Sequence, residues 1–242
     1  MPPHNNVKYS RPECDISSMA PHWADAQMVR LIGIGKRVLE IGCASGHFGK
    51  YLTQKAGCKV WGVDIDERLV HQAQPYYEKI YTGDIQDKKV FDLLETMKFD
   101  VILCSNILEH LTAFLPVLSR LKDFLEKEGY FVIALPNITH WSIRLKLLMG
   151  DFEYTETGIL DSTHVRFFTW KTAMEFLKNA GLKIENFSFD WDNGIPKFNG
   201  LVSRIPKLGE SLLKRFYSFS PELFGYQFIF KASPAMKQGH AA

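Results

Sequence analysis

Between Lys36 and Leu135, short apolar runs rich in β-branched residues alternate with longer stretches whose apolar positions recur at helical spacing. Five such runs, at 37–41, 59–63, 79–82, 99–104 and 130–135, are apolar enough to be covered on both faces by helices. The intervening stretches predict helices centred on 48–55, 68–76, 90–97 and 114–126. That rhythm is the signature of repeated βαβ units on a parallel sheet. After Leu135, Pro136-Asn137 is a natural stop and the rhythm changes. A short amphipathic helix at 141–149, a turn-rich loop at 151–168, a helix at 172–180 ended by Gly181 and a strand at 182–189 are expected there. A second irregular stretch carries the basic, apolar segment 205–216, and Tyr226, Phe228 and Phe230 alternate along a last strand at 225–231. The predicted architecture is one α/β domain over 1–242, a doubly wound, mostly parallel seven-stranded sheet with helices on both faces. Its core spans 31–137, with lid insertions at about 138–170 and 193–222. Only the first few and last several residues read as disordered.

Composition narrows the function classes more than it changes this picture. A chain that is 46% hydrophobic and 23% charged has the balance of a folded globular protein, which argues against long disorder. A formal net charge of +2 lacks the dense basic footprint of a nucleic-acid binder, so no nucleic-acid partner is expected. Cys14, Cys43, Cys58 and Cys104 are scattered without CxxC pairing, which points to neither a zinc knuckle nor a disulfide framework and makes a reducing cytoplasm the expected location. The first residues lack the charged-then-apolar pattern of a signal peptide, and no apolar run reaches the roughly 20 residues a membrane span needs.

The chemistry-bearing segment is Val38-Leu39-Glu40-Ile41-Gly42-Cys43-Ala44-Ser45-Gly46-His47-Phe48-Gly49, a buried strand that breaks into a small-residue loop and restarts as a helix. Glycine at 42 and 46 allows dihedrals and close approaches that a Cβ would block, and the helix start offers unpaired N–H groups. A ligand-free tight turn would look similar. Three further features stand at ligand-side strand ends of a doubly wound sheet. Asp64, followed by Ile65, closes the second strand at a distance suited to accepting ribose hydroxyls. Asp84-Ile85 closes the third, and the fourth runs into Ser105-Asn106-Ile107-Leu108-Glu109-His110. Any one of these acids could be a helix cap, but four features in this order point to a nucleoside cofactor.

Over roughly Arg37 to Asn137 the sequence resembles the class I S-adenosylmethionine-dependent methyltransferases, in particular the bacterial small-molecule and glycan-modifying group. The resemblance implies that Glu40, Gly42, Cys43, Ala44 and Gly46 wrap the methionine part of S-adenosylmethionine. It further implies that Asp64 and Ile65 hold the ribose side, Asp84 and Ile85 border the adenine, and Asn106 lines the methionine side. Cys43-Ala44-Ser45 stands where many relatives carry more glycine. Leu160-Asp161-Ser162-Thr163-His164-Val165-Arg166-Phe167-Phe168-Thr169 is similar to a motif of methyltransferases from surface-polysaccharide clusters, which implies a small-molecule or glycan acceptor and O-methylation.

Methyl transfer asks the protein mainly to align the reactants and exclude water, and an aliphatic hydroxyl would also profit from a general base. His110 and His164 are the candidates, each with a competing role: packing beneath the loop for His110, organising the insertion for His164. Glu109 and His110 with His164 could also be imagined as metal ligands, since some O-methyltransferases use a divalent ion to polarise hydroxyls, but no metal is expected, because no second carboxylate cluster of suitable spacing is visible and adjacent residues such as Glu109 and His110 do not readily point the same way. Trp141, Phe152, Tyr154, Phe167, Phe168 and Trp170 could wall the acceptor site or simply complete the core. The 205–216 segment reads as a lid or dimer helix, or alternatively as a peripheral membrane contact. A monomer or homodimer is compatible with all of this. The competing functions are a nicotinamide-dependent oxidoreductase, disfavoured because Ala44 breaks the G-x-G-x-x-G pattern, and a catalytically inactive cofactor-binding subunit.

Overall fold

The computed structural model of the protein describes residues 8–10, 15–94, 96–191 and 209–235. Its strands are β1 (Arg37–Ile41), β2 (Lys59–Asp64), β3 (Lys79–Thr82), β4 (Phe99–Ser105), β5 (Leu125–Pro136), β6 (Leu182–Phe189) and β7 (Gln227–Pro234). They form one seven-stranded sheet in the order β3-β2-β1-β4-β5-β7-β6. Neighbours from β3 to β5 pair in parallel, and β7 enters antiparallel between β5 and β6. A dinucleotide-binding sheet instead runs 3-2-1-4-5-6.

The helices are α1 (Ala24–Ile32), α2 (His47–Gln54), α3 (Glu67–Ala73), α4 (Lys88–Leu94), α5 (Phe114–Leu121), α6 (Trp141–Leu148), α7 (Trp170–Asn179), α8 (Gly209–Ser218) and α9 (Pro221–Phe224). Alternation along each strand divides the apolar side chains between two layers. Val38, Val60, Val101, Leu103, Val132 and Ala134 pack against Met28 and Ile32 of α1 and Phe48 and Leu52 of α2. On the opposite face, Leu39, Ile41, Ile102, Phe131 and Ile133 meet Phe91 of α4, Leu118 of α5 and Leu177 of α7. Continuously apolar strands are thus sequence evidence for a sheet sandwiched between helices.

Several expectations need correction. The core does not begin at 31: α1 and Ile16 belong to it, since the helix buries Met28 and Ile32 completely. The helix expected at 114–126 ends at Leu121, a 3₁₀ turn follows at Lys122–Phe124, and β5 starts at Leu125 because Leu125 pairs with Phe99 across an irregular register. The last strand begins at Gln227 and runs on to Pro234, held by pairing on both edges. The helix at 141–148 is not amphipathic: of its side chains Ile143 is buried, while Leu145, Leu147 and Leu148 are exposed. Within the expected segment 205–216, residues 205–208 lie outside the described residues, as do much of the 193–222 insertion, Cys14 and the extreme termini. The described part, α8, buries Leu213 and Tyr217, with Tyr217 against Trp191 and Phe224. Among the described residues, no helix is long and apolar enough to cross a membrane.

Candidate functional site

The parallel strands deliver their C-terminal ends, and therefore their loops, to one edge of the sheet. Gly42, just after β1, has φ of 75°, and a Cβ there would meet the Ile107 side chain at 2.9 Å. Gly46 has φ of 83°, and a Cβ would strike Ala73 at 2.8 Å. Between them Ala44 is held at φ of 44°, a left-handed conformation that costs a non-glycine residue about 1–2 kcal/mol. The restraint is visible: Ala44 donates its N–H to Asp64 Oδ2 at 2.7 Å, while Asp64 Oδ1 accepts from the Asp66 N–H at 2.9 Å. Burial pushes the Asp64 carboxyl up, and these backbone donors oppose the shift.

Glu40 lies beneath this loop, buried, with Tyr77 donating its hydroxyl to Glu40 Oε2 at 2.6 Å. Burial nevertheless raises the Glu40 carboxyl to about 8. The Tyr77 ring occupies space that side chains at other positions would take: a Cβ on Gly49 would come within 2.3 Å of it, and one on Gly62 within 3.2 Å. Cys43 is buried here as well, and burial pushes its thiol up, so it is a packing group and not a nucleophile. Tyr77 had no signal in the sequence, because its partner lies 37 positions away.

Further along the edge, Asp84 Oδ1 accepts from the Gln86 N–H at 2.8 Å, and Gln86 Oε1 in turn accepts from the Ala113 N–H at 2.8 Å. Ile85 is buried, whereas Ile65 is 71% exposed and leaves an apolar surface at the rim. Asn106 adopts φ of 50° and donates its side-chain amide to Gln227 Oε1 at 2.9 Å, tying the end of β4 to β7. Glu40, Gly42, Cys43, Ala44, Gly46 and Asp64 are thus drawn into one cradle, with Ile107 next to Asn106 closing against Gly42. Asp84 and Ile85 stand one strand further out.

The other half of the edge is built by the insertion after β5. Leu108–His110 forms a 3₁₀ turn, and the carbonyl of Glu109 accepts the N–H groups of Val165 and Arg166 at 3.0 and 3.2 Å. These bonds bring His164 to the turn: the His110 and His164 rings lie 4.7 Å apart, and His164 Nε2 is 3.9 Å from Glu109 Oε1. The expectation that Glu109 and His110 would diverge is therefore corrected. In a 3₁₀ turn both reach His164, and one ligand atom from each lies within 4.8 Å of the others, so the trio could hold a cation. Glu109 is fully buried with neither carboxylate oxygen hydrogen-bonded, and burial raises its carboxyl to about 8. Burial also lowers both imidazoles below their ordinary value.

Around this trio, Asp161 receives Lys8 Nζ at 2.8 Å, the Tyr9 hydroxyl at 2.9 Å and the Thr163 hydroxyl at 2.7 Å. Burial works against its charge, but these donors hold its carboxyl well below the usual range. Lys8 and Tyr9 were not expected to contribute; only the fold brings them across more than 150 positions. Of the aromatic wall, Phe152, Tyr154 and Phe167 do cluster beside His164. Phe168 instead packs on Phe176, and Trp170 on Phe187 and Phe230, so these two belong to the core. An open cleft of about 520 Å³ next to the loop is lined by Phe114, Arg166, Phe168 and Phe176, and none of the polar groups of the cradle faces it.

The profile of the family described as "Methyltransferase domain" matches residues 22–186. The chain belongs to this methyltransferase family. The matched span includes the cradle, the 3₁₀ turn and the insertion. This family member is 27% identical over 125 residues to the "Ubiquinone biosynthesis O-methyltransferase" of Actinobacillus pleuropneumoniae serotype 7, covering 49% of this chain and 53% of the relative. The protein of the same name from Xanthomonas axonopodis pv. citri is 25% identical over 182 residues, covering 73% and 75%. The chain thus spans only about half the length of several curated relatives it matches. Among solved structures, an S-adenosylmethionine-dependent methyltransferase from Archaeoglobus fulgidus superposes with a TM-score of 0.55 at 21% identity, over 86% of this chain and 91% of that one. At that identity the likeness speaks for the fold.

Proposed function

We propose that the protein is an S-adenosylmethionine-dependent O-methyltransferase whose acceptor is a hydroxyl on a small molecule or glycan. The observation that carries this reading is the strained Gly42–Ala44–Gly46 loop clamped by Asp64, a cradle in which added Cβ atoms would collide. Gly42, Cys43, Ala44 and Gly46 offer backbone to the methionine part, Asp64 a carboxylate to the ribose, and Asp84 with Ile85 the adenine border. Bound there, the cofactor supplies an electrophilic methyl group on a sulfonium. The chain's own residues then position the reactants: Asn106 and Ile107 close the cradle from the β4 side, and the Phe152, Tyr154 and Phe167 cluster offers an aromatic surface beside His164. His110 and His164, stitched together by the Glu109 carbonyl, stand where the acceptor's hydroxyl is received. The names of the relatives support O-methylation as the reaction class. Free, buried Cys43, Cys58 and Cys104 suit the cytoplasmic location that this reading includes.

Calorimetric titration with S-adenosylmethionine and, separately, with NAD tests the donor half. Binding of NAD alone would return the chain to the oxidoreductase reading. Labelled methyl transfer to a panel of nucleotide sugars, glycans and phenols tests the acceptor half, and donor binding without any transfer would favour an inactive cofactor-binding subunit.

A further inference from the structure

We propose that Glu109, His110 and His164 form a divalent-cation site that binds the acceptor's hydroxyl oxygen. The inference deepens the reading above and rests on it for the identity of the reaction, but cation binding itself does not depend on that reading. Its first support is the Glu109 carboxylate, which is fully buried, offers two oxygens without a hydrogen-bond partner and lies 3.9 Å from His164 Nε2. Slack backbone does not explain that placement, because the Glu109 carbonyl is pinned by two N–H groups of the insertion. A bound cation would supply the partner that these two buried oxygens lack.

The second support is the orientation of the two imidazoles. His164 Nδ1 lies 3.1 Å from the Ile159 carbonyl oxygen, which can only accept, so the ring proton sits on Nδ1 and Nε2 keeps its lone pair toward Glu109. His110 follows the same rule. Its Nδ1 contacts the Thr163 carbonyl at 3.3 Å and the Thr163 hydroxyl at 3.0 Å, and that hydroxyl spends its own proton on Asp161 Oδ1. Both Nδ1 atoms therefore donate outward and both Nε2 atoms are left as ligands, the arrangement by which outer hydrogen bonds orient metal-binding histidines. Asp161, fixed by Lys8 and Tyr9, anchors that outer layer.

Two imidazoles and one carboxylate suit a divalent first-row ion such as Mn²⁺, Co²⁺ or Zn²⁺, and leave positions open for oxygen ligands. One ring nitrogen of each histidine and one Glu109 oxygen lie within 4.8 Å of one another. Ligands about 2.1 Å from a shared ion lie roughly 3–3.5 Å apart, so small side-chain adjustments close the site. Its place fits the reaction, for Ile107, two residues before Glu109, touches the Gly42 loop of the donor cradle. A hydroxyl oxygen on the ion gives its proton to water more readily. Its electron pair then forms the C–O bond as the methyl–sulfur bond breaks, and the sulfonium becomes a neutral thioether. The open positions favour acceptors carrying two adjacent oxygens.

The test is titration of the full chain, first stripped with chelator, with Mn²⁺ followed by electron paramagnetic resonance. One saturable site per chain is expected. Glu109→Gln and His164→Gln should each weaken it about 100-fold, and Thr163→Val, which keeps all three ligands, about 10-fold. S-adenosylmethionine binding, measured by calorimetry on the same samples, should stay within about twofold and serves as the control for folding. Absence of saturable Mn²⁺, Co²⁺ and Zn²⁺ binding to the unsubstituted chain, or binding that survives both ligand substitutions, would overturn the proposal. Failure to bind S-adenosylmethionine with Mn²⁺ binding intact would instead count against the donor assignment.

Discussion

In the proposed donor and acceptor halves of the ligand edge, two buried glutamates are treated in opposite ways. On the donor side, Glu40 takes the Tyr77 hydroxyl and Asp64 takes two backbone N–H groups, so each is paired before any ligand arrives. On the acceptor side, Glu109 is as deeply buried as Glu40 yet has no hydrogen bond to either oxygen. The difference teaches which groups serve the fold and which wait for something else. A satisfied carboxylate holds a loop in its strained shape, whereas an unsatisfied one is maintained at a cost that only a bound partner offsets.

Substitutions can break or sharpen this contrast. The largest effect is expected for Asp64→Ala, which removes the charged acceptor that restrains Ala44 and faces the proposed ribose. Cofactor affinity should fall by about 3 kcal/mol, or roughly 100-fold in calorimetry, and an unchanged affinity would remove Asp64 from the site. Next comes Gly49→Ala, whose methyl would overlap the Tyr77 ring; chemical denaturation should show a loss of about 2 kcal/mol. Tyr77→Phe keeps the ring and deletes the donor to Glu40, so thermal unfolding should reveal a loss of about 1–2 kcal/mol.

A separate effect concerns pH. Glu40 has its carboxyl raised to about 8 in the folded chain from an ordinary value of 4.5. The folded state therefore holds a proton that the unfolded chain releases, and this contribution is full below about 4.5 and lost as pH rises through about 8. Denaturation across that window should show a falling stability whose slope drops by up to about 1 kcal/mol per pH unit in Glu40→Gln. The smallest loss is expected for Glu109→Gln in the presence of chelator, where stability at neutral pH should hold or rise, because no hydrogen bond to the carboxylate is lost and a buried ionisable group is removed. A loss there as large as that of Tyr77→Phe would erase the contrast between the halves.

The architecture of the proposed donor half was legible because its signals are local. Strands buried on both faces show as continuous apolar runs, and a loop that must accommodate close contacts shows as Gly42 and Gly46 at a strand end. The α1 helix escaped notice because it lies before the first strand, outside the alternating rhythm, although Met28 and Ile32 are spaced as one buried helical face. Expecting α6 to be amphipathic failed for a related reason: its leucines mark no single face, and Leu147 and Leu148 remain exposed.

The acceptor half depends on contacts between segments far apart in the chain. His110 and His164 could be named from the sequence, and their joining Glu109 was weighed and disfavoured there; what brings them together is the Glu109 carbonyl, which accepts two N–H groups from a loop more than fifty positions later. The same holds for Tyr77 beneath Glu40 and for Lys8 and Tyr9 on Asp161. By itself the sequence determined the layered sheet and the glycine-bearing loop after β1, because hydrophobic periodicity and backbone freedom are properties of neighbouring residues. Only the tertiary structure decided which buried acids are paired and which is left open, because hydrogen-bond satisfaction is a property of positions in space.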